Sequence, residues 1–123
     1  ETPAQLDIMI ETAGTKRIAL QEVGYPSSAK GSSEEQQAKF FKVIIPAIQE
    51  RPQIKFASIF ALHDMDRKTC DNMASYYGFS GLFGLTQQAK DFEGFLCSLG
   101  LRHADGSPKP AWDNVIHAFA QLK

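Results

Sequence analysis

The stretch that most constrains the fold is IKFASIFALH, residues 54–63, which is apolar at nearly every position. A strand apolar on both sides is buried on both sides, the pattern of a parallel sheet covered by helices. A second strand at 17–23 precedes it, and a helix fits between the two. Ser33 and Gln36 form a capping box at its start, and Phe40, Phe41, Ile44, Ala47 and Ile48 recur at helical spacing. Pro46 should bend that helix and Pro52 should end it. Two buried strands joined by one amphipathic helix form a right-handed crossover, so 18–23 and 55–62 are expected to be adjacent and parallel.

The rest of the chain repeats the helix and strand order. Thr2-Pro3-Ala4-Gln5 reads as another capping box, opening a helix that runs to about Ala13. After the second strand, residues 64–84 read as a long loop with glycine breaks and a short helix near 70–76. Helices are expected at 86–98 and 110–122, separated by the turn sequence GLRHADGSPKP. This is an α/β chain, and 1–123 reads as one domain. Two parallel strands leave both sheet edges open, so more structure is expected to complete the sheet, from further sequence or another chain.

Charge and cysteine spacing exclude several functions. Thirteen basic residues balance fourteen acidic ones, with no basic cluster larger than Lys16-Arg17. That lacks the electrostatic footprint of nucleic-acid binding. No apolar run reaches the roughly 18 residues that span a bilayer, so no membrane partner is expected. Cys70 and Cys97 have no metal-ligand spacing, which argues against zinc; they are either one disulfide or two buried thiols. No GxSxG elbow supports serine hydrolysis. His103 and His117 lack partners at metal or triad spacing and read as surface or helix-face residues.

One residue breaks the apolar pattern where chemistry would use it. In IALQEVGYPSS, Glu22 stands at the exit of the first strand, just before a turn at Gly24 and Pro26. EVGYPSS, then a serine-capped helix with Gln36 and Phe40-Phe41, then FALHD, then LCSLGLRHADGSPKPAW resembles the C-terminal part of clan A retaining glycoside hydrolases. The nearest resemblance is to endo-β-glucanase and galactanase-like members. It implies a partial (β/α)8 TIM barrel comprising the seventh and eighth strands with their helices.

The resemblance also implies roles. Glu22 corresponds to the nucleophile, raised at the rim above Ile18 and Leu20, which share its face by the strand period of two and would fill the barrel interior. Tyr25 either orients that carboxylate or simply packs at the turn. The tryptophan platform of many clan members is replaced by Ser58-Ile59-Phe60, so either Phe60 takes over the stacking or the platform is lost, while His63 and Asp64 would bind sugar hydroxyls or serve as a satisfied histidine and a cap. Trp112 reads as helix-to-barrel packing. The implied mechanism needs no metal or cofactor, but it does need a second carboxylate about 5 to 5.5 Å from the first. In the clan that acid/base follows the fourth strand, upstream of these residues, and a whole barrel commonly takes about 250 residues.

Three readings follow. The chain is the C-terminal fragment of a retaining β-glycanase, inactive until the barrel is complete; its compartment is open, a secreted or periplasmic setting being compatible with such a parent enzyme. Otherwise it is a self-associating part-barrel, or a carbohydrate-binding remnant that holds β-linked oligo- or polysaccharide in the aromatic 74–83 loop.

Overall fold

The computed structural model describes residues 2–79 and 85–121. In chain order it runs α1 (Thr2–Ala13), β1 (Ile18–Val23), α2 (Glu34–Gln49), β2 (Ile54–Ile59), β3 (Ala61–His63), α3 (Arg67–Tyr76), α4 (Gln87–Cys97), β4 (Gly100–Arg102) and α5 (Pro110–Ala120). β1 pairs parallel with β2, as the crossover argument expects, with Ile18 opposite Ile54 and Val23 opposite Ile59. β3 pairs parallel with β4 in a second two-stranded sheet. This is a mixed α/β arrangement with no closed barrel among the described residues.

Two expectations about the strands are corrected. The run 54–63 is not one strand, because the backbone bends at Phe60 and hands β3 to a different partner. That partner, β4, lies within the sequence expected to be only a turn. It is just three residues long, and Gly100 occupies a position few side chains could share. A Cβ there would come within 2.2 Å of the Asp64 nitrogen. Glycine is required because the backbones pass at contact distance.

Local chemistry sets the helices. Ser33 caps α2 by accepting a hydrogen bond from the Gln36 N–H at 3.2 Å, and the helix continues through Pro46 to Gln49. Asp66 caps α3 by accepting from the Thr69 N–H at 2.9 Å, and Thr86 caps α4 by accepting from the Ala89 N–H at 3.1 Å. Pro110 occupies the first turn of α5, where its missing N–H costs nothing. Cys70 of α3 and Cys97 of α4 form a disulfide with their Cα atoms 5.7 Å apart.

The core lies on one side of β1 and β2. Phe41, Ile44, Ile45 and Ala47 of α2 pack with Ala111 and Val115 of α5, Leu6 of α1 and Leu101 of β4. Leu20, Val23, Ile54 and Ile59 of the sheet rest on this cluster, as does Trp112, whose ring also carries the Arg102 guanidinium 5.0 Å from its centroid. Other strand positions stay open to water: Phe56 of β2 is 58% exposed, Leu62 of β3 is 51% exposed, and Ala19, Gln21 and Ala57 are exposed. The expectation that 54–63 is buried on both faces therefore fails within this chain.

The facing of β1 also differs from simple alternation. Leu20 packs toward the helices, and the register with β2 slips between Leu20 and Val23. An irregularity of this kind changes which side later residues face. Val23 joins Leu20 against the core while Glu22 remains exposed, so Leu20 and Glu22 do not form the common interior face that strict period two predicts.

Candidate functional site

Parallel strands present their C-terminal ends together, and two of the predicted site residues sit there. Glu22 is the penultimate residue of β1, and Phe60 directly follows β2. Both line a cleft of about 380 Å³ with Gly24, Tyr77, Phe92, Phe95, Leu96 and Leu99. Gly24 makes this juxtaposition possible, since a Cβ there would stand 3.1 Å from the Phe60 Cβ. The result is one carboxylate set among aromatic and aliphatic side chains. Rings of this kind pack against the apolar faces of a ligand while a single polar group orients it.

The far wall of the cleft comes from α4 and the exit of α3. The Tyr77 ring, 57% exposed, meets Phe92 edge-on at 5.9 Å, and Phe92 stacks on Phe79 at 4.4 Å. The disulfide ties the two helices behind these rings. Part of the aromatic loop expected to hold sugar, residues 80–83, lies outside the described residues. Phe92 and Phe95 are absent from the sequence-based site because they sit in a helical pattern that resembles ordinary packing.

The remaining predicted residues are placed elsewhere. The Tyr25 ring stacks on Phe40 at 5.2 Å, and its carbonyl accepts a hydrogen bond from the buried Gln37 amide at 2.8 Å. His63 is exposed at the end of β3, opposite Arg102 in the register. Asp64 lines a separate, more polar cleft of about 470 Å³ with Ser28, Lys90, Glu93, Ser98 and His103. Its Oδ1 accepts from the Lys109 ammonium at 2.7 Å and the Gly100 N–H at 2.9 Å. The structure thus brings Glu22 and Phe60 together and puts Tyr25, His63 and Asp64 outside their cleft.

His103 has partners that spacing along the chain concealed. Its Nε2 lies 3.3 Å from Glu34 and its Nδ1 lies 4.0 Å from Asp64 Oδ2. His117 of α5 bonds Gln121, the residue that follows the helix as its C-cap.

Three carboxyls are held below their usual range, each at a helix start or turn. Glu35 is lowered by its own backbone N–H and the Ser33 hydroxyl, Asp66 by the Thr69 N–H and hydroxyl, and Asp105 by the Ser107 hydroxyl and N–H. None lines the Glu22 cleft. Among the described residues, no group of three His, Cys, Asp or Glu side chains is placed to hold a metal ion.

Comparison with solved structures places this arrangement. A GH5_18 enzyme from Streptomyces cattleya, solved with GlcNAc, is 25% identical over 98% of this chain, with a TM-score of 0.66. A variant of GH5_18 from the same organism, solved with Manβ1-4GlcNAc, is 26% identical over 87% of the chain, with a TM-score of 0.59. A GH2 β-galacturonidase from Eisenbergiella tayi reaches a TM-score of 0.69 at 17% identity, a likeness of fold. The structural neighbours are glycoside hydrolases. This chain spans 25% of the first of them and 21% of the other two. No protein-family model and no curated protein sequence matches it.

Proposed function

We propose that the chain supplies the last two strand and helix units of a retaining glycoside hydrolase TIM barrel, with Glu22 as the nucleophile. The observation carrying this is the exposed Glu22 carboxylate at the C-terminal end of a parallel strand, in one cleft with Phe60 from the neighbouring strand's exit. TIM-barrel active sites are built at that end of the strands. Likeness to glycoside hydrolases over almost the whole chain supports the reading.

The chemistry divides between this chain and the rest of the barrel. The Glu22 carboxylate attacks the anomeric carbon as the glycosidic C–O bond breaks. The leaving oxygen takes a proton from an acid/base carboxyl outside these 123 residues. That group then removes a proton from water, which cleaves the glycosyl ester and releases sugar with retained configuration. Phe60 stacks on the ring of the sugar, whereas Tyr25, packed on Phe40, and His63, at the end of β3, lie outside this cleft. The substrate class is a β-linked oligo- or polysaccharide, and the disaccharide held by one GH5_18 structure makes Manβ1-4GlcNAc a probe to set beside β-glucan oligosaccharides.

The test joins this segment to the strand and helix units that complete the barrel. Glu22→Gln should lower the rate of the chemical step by on the order of 10⁴-fold without lowering stability, since the amide has the same size but cannot form the ester. Near-wild-type hydrolysis by that variant removes Glu22 from the mechanism. Two-stranded sheets with exposed apolar side chains such as Phe56 favour one second reading, in which copies of this chain associate through their open sheet edges. Sedimentation at micromolar concentration decides it: a stable, compact monomer argues against self-association.

A further inference from the structure

One heavily bonded side chain outside the Glu22 cleft is a lysine. Lys109 is 1% exposed and stands between two prolines at the start of α5. Its ammonium has three N–H donors, and three acceptors lie within 3.0 Å. These are Asp64 Oδ1 at 2.7 Å, Ser27 Oγ at 2.9 Å and the Gly100 carbonyl at 3.0 Å. The Ser98 carbonyl lies further out at 3.4 Å. An ammonium with all its donors matched and a carboxylate against it is a fixed point of the structure, because withdrawing any partner leaves a buried charge unsatisfied.

Every partner sits at the exit of a strand or the entry to one. Ser27 belongs to the turn that follows β1, Asp64 follows β3, and Ser98 and Gly100 lead into β4. Ser98 reinforces the same turn, its Oγ accepting from the Ser27 N–H at 3.0 Å and the Ser28 N–H at 2.9 Å. Gln37, fully buried, donates to the Tyr25 carbonyl at 2.8 Å and the Gly100 carbonyl at 3.0 Å. The backbone from Tyr25 to Ser28 is therefore held by these bonds, beginning three residues after Glu22. A catalytic carboxylate must keep its place to within a fraction of an ångström, and one on a strand exit depends on what fixes the turn behind it.

We infer that Lys109 is a positioning residue for Glu22, and that Asp64 serves this buried clamp instead of contacting sugar. The inference rests on the proposed function for the role of Glu22, and on the hydrogen bonds alone for the clamp. Lys109 secures the turn through Ser27, and Asp64 neutralises the ammonium and orients it. The lysine in the PKPAW stretch, which reads in sequence as part of a helix entry, becomes the link between the last helix and the catalytic strand.

Two measurements test it. In this chain, amide hydrogen exchange should show Ser27 and Ser28 protected, and Ser27→Ala should speed their exchange by at least about tenfold while Phe41 in α2 is unchanged. Lys109→Met should do the same more strongly; if it fails to fold, Ser27→Ala still decides the question. In the completed barrel, Ser27→Ala should lower kcat with KM little changed, Ser27→Thr should restore it by keeping the hydroxyl, and Asp64→Asn should lower kcat and not sugar affinity. Unchanged exchange at Ser27 and Ser28 overturns the clamp, and a loss confined to KM in Asp64→Asn returns that residue to the sugar. A completed barrel that is inactive with Glu22 intact refutes the functional reading, while the exchange result still judges the clamp.

Discussion

The helix core and the strands around it are built to different standards. In the core Phe41, Ala111 and Val115 are almost wholly excluded from water, and three helices share a continuous cluster with the sheet. On the strands Phe56 of β2 and Leu62 of β3 are more than half exposed. These side chains are as apolar as those beneath the helices, so hydrophobicity alone does not decide what is buried. What decides is whether this chain carries a layer to cover that position.

Truncating one side chain in each region sharpens the contrast most. Phe41→Ala should lower stability by about 3–5 kcal/mol, because it opens a cavity in packed surroundings. Phe56→Ala in this chain should change stability by no more than about 0.5 kcal/mol, as for other exposed positions. Denaturant titration of both variants checks the pair. Equal losses would mean that Phe56 is already covered in solution.

The disulfide offers the next largest effect. The α3–α4 region buries few large apolar side chains beyond Leu96, so the link between Cys70 and Cys97, 27 residues apart, carries much of its order. Replacing both cysteines with serine should cost about 3 kcal/mol. Proteolysis should then cut within α3 and α4 before the α2–α5 core, and an unchanged cleavage pattern would show that the aromatic wall holds without its link.

A smaller effect follows from acid. The folded-state value of the Asp66 carboxyl is lowered, first by the Thr69 N–H, so its capping of α3 is present above the ordinary aspartate range. That contribution is lost as pH falls through the lowered value. Helicity monitored across that range should show a slight acid loss that Asp66→Asn removes.

Much of the helix framework was legible because its signals are local. Ser33 with Gln36 marks the start of α2, Pro110 marks α5, and the apolar spacing of Phe41 and Ile44 identifies the buried face. The parallel pairing of β1 and β2 followed from two apolar strands joined by one helix. What was not legible depends on contacts distant in sequence. The bend at Phe60 and the strand at Gly100–Arg102 exist because β3 finds a partner nearly 40 residues away, which periodicity within three residues cannot signal. Glu22 stood out as an acid at a strand exit, and the roles expected of it and of Phe60 came from the resemblance. Lys109 was missed because a lysine in a polar turn looks solvated until Asp64, Ser27 and Gly100 are seen around it.

The central claim is that Glu22 is the attacking carboxylate of a cleft whose other half lies outside this chain. It is tested most directly by trapping the intermediate. A 2-deoxy-2-fluoro β-glycoside with an activated leaving group, such as 2,4-dinitrophenolate, still forms the glycosyl ester but breaks it down slowly, so the completed barrel should accumulate one covalent label, and peptide mapping by mass spectrometry should find it on Glu22. The isolated chain should take up little or none, since one cleft wall alone does not hold the sugar against the carboxylate. A label on another carboxylate of the completed barrel would contradict the account.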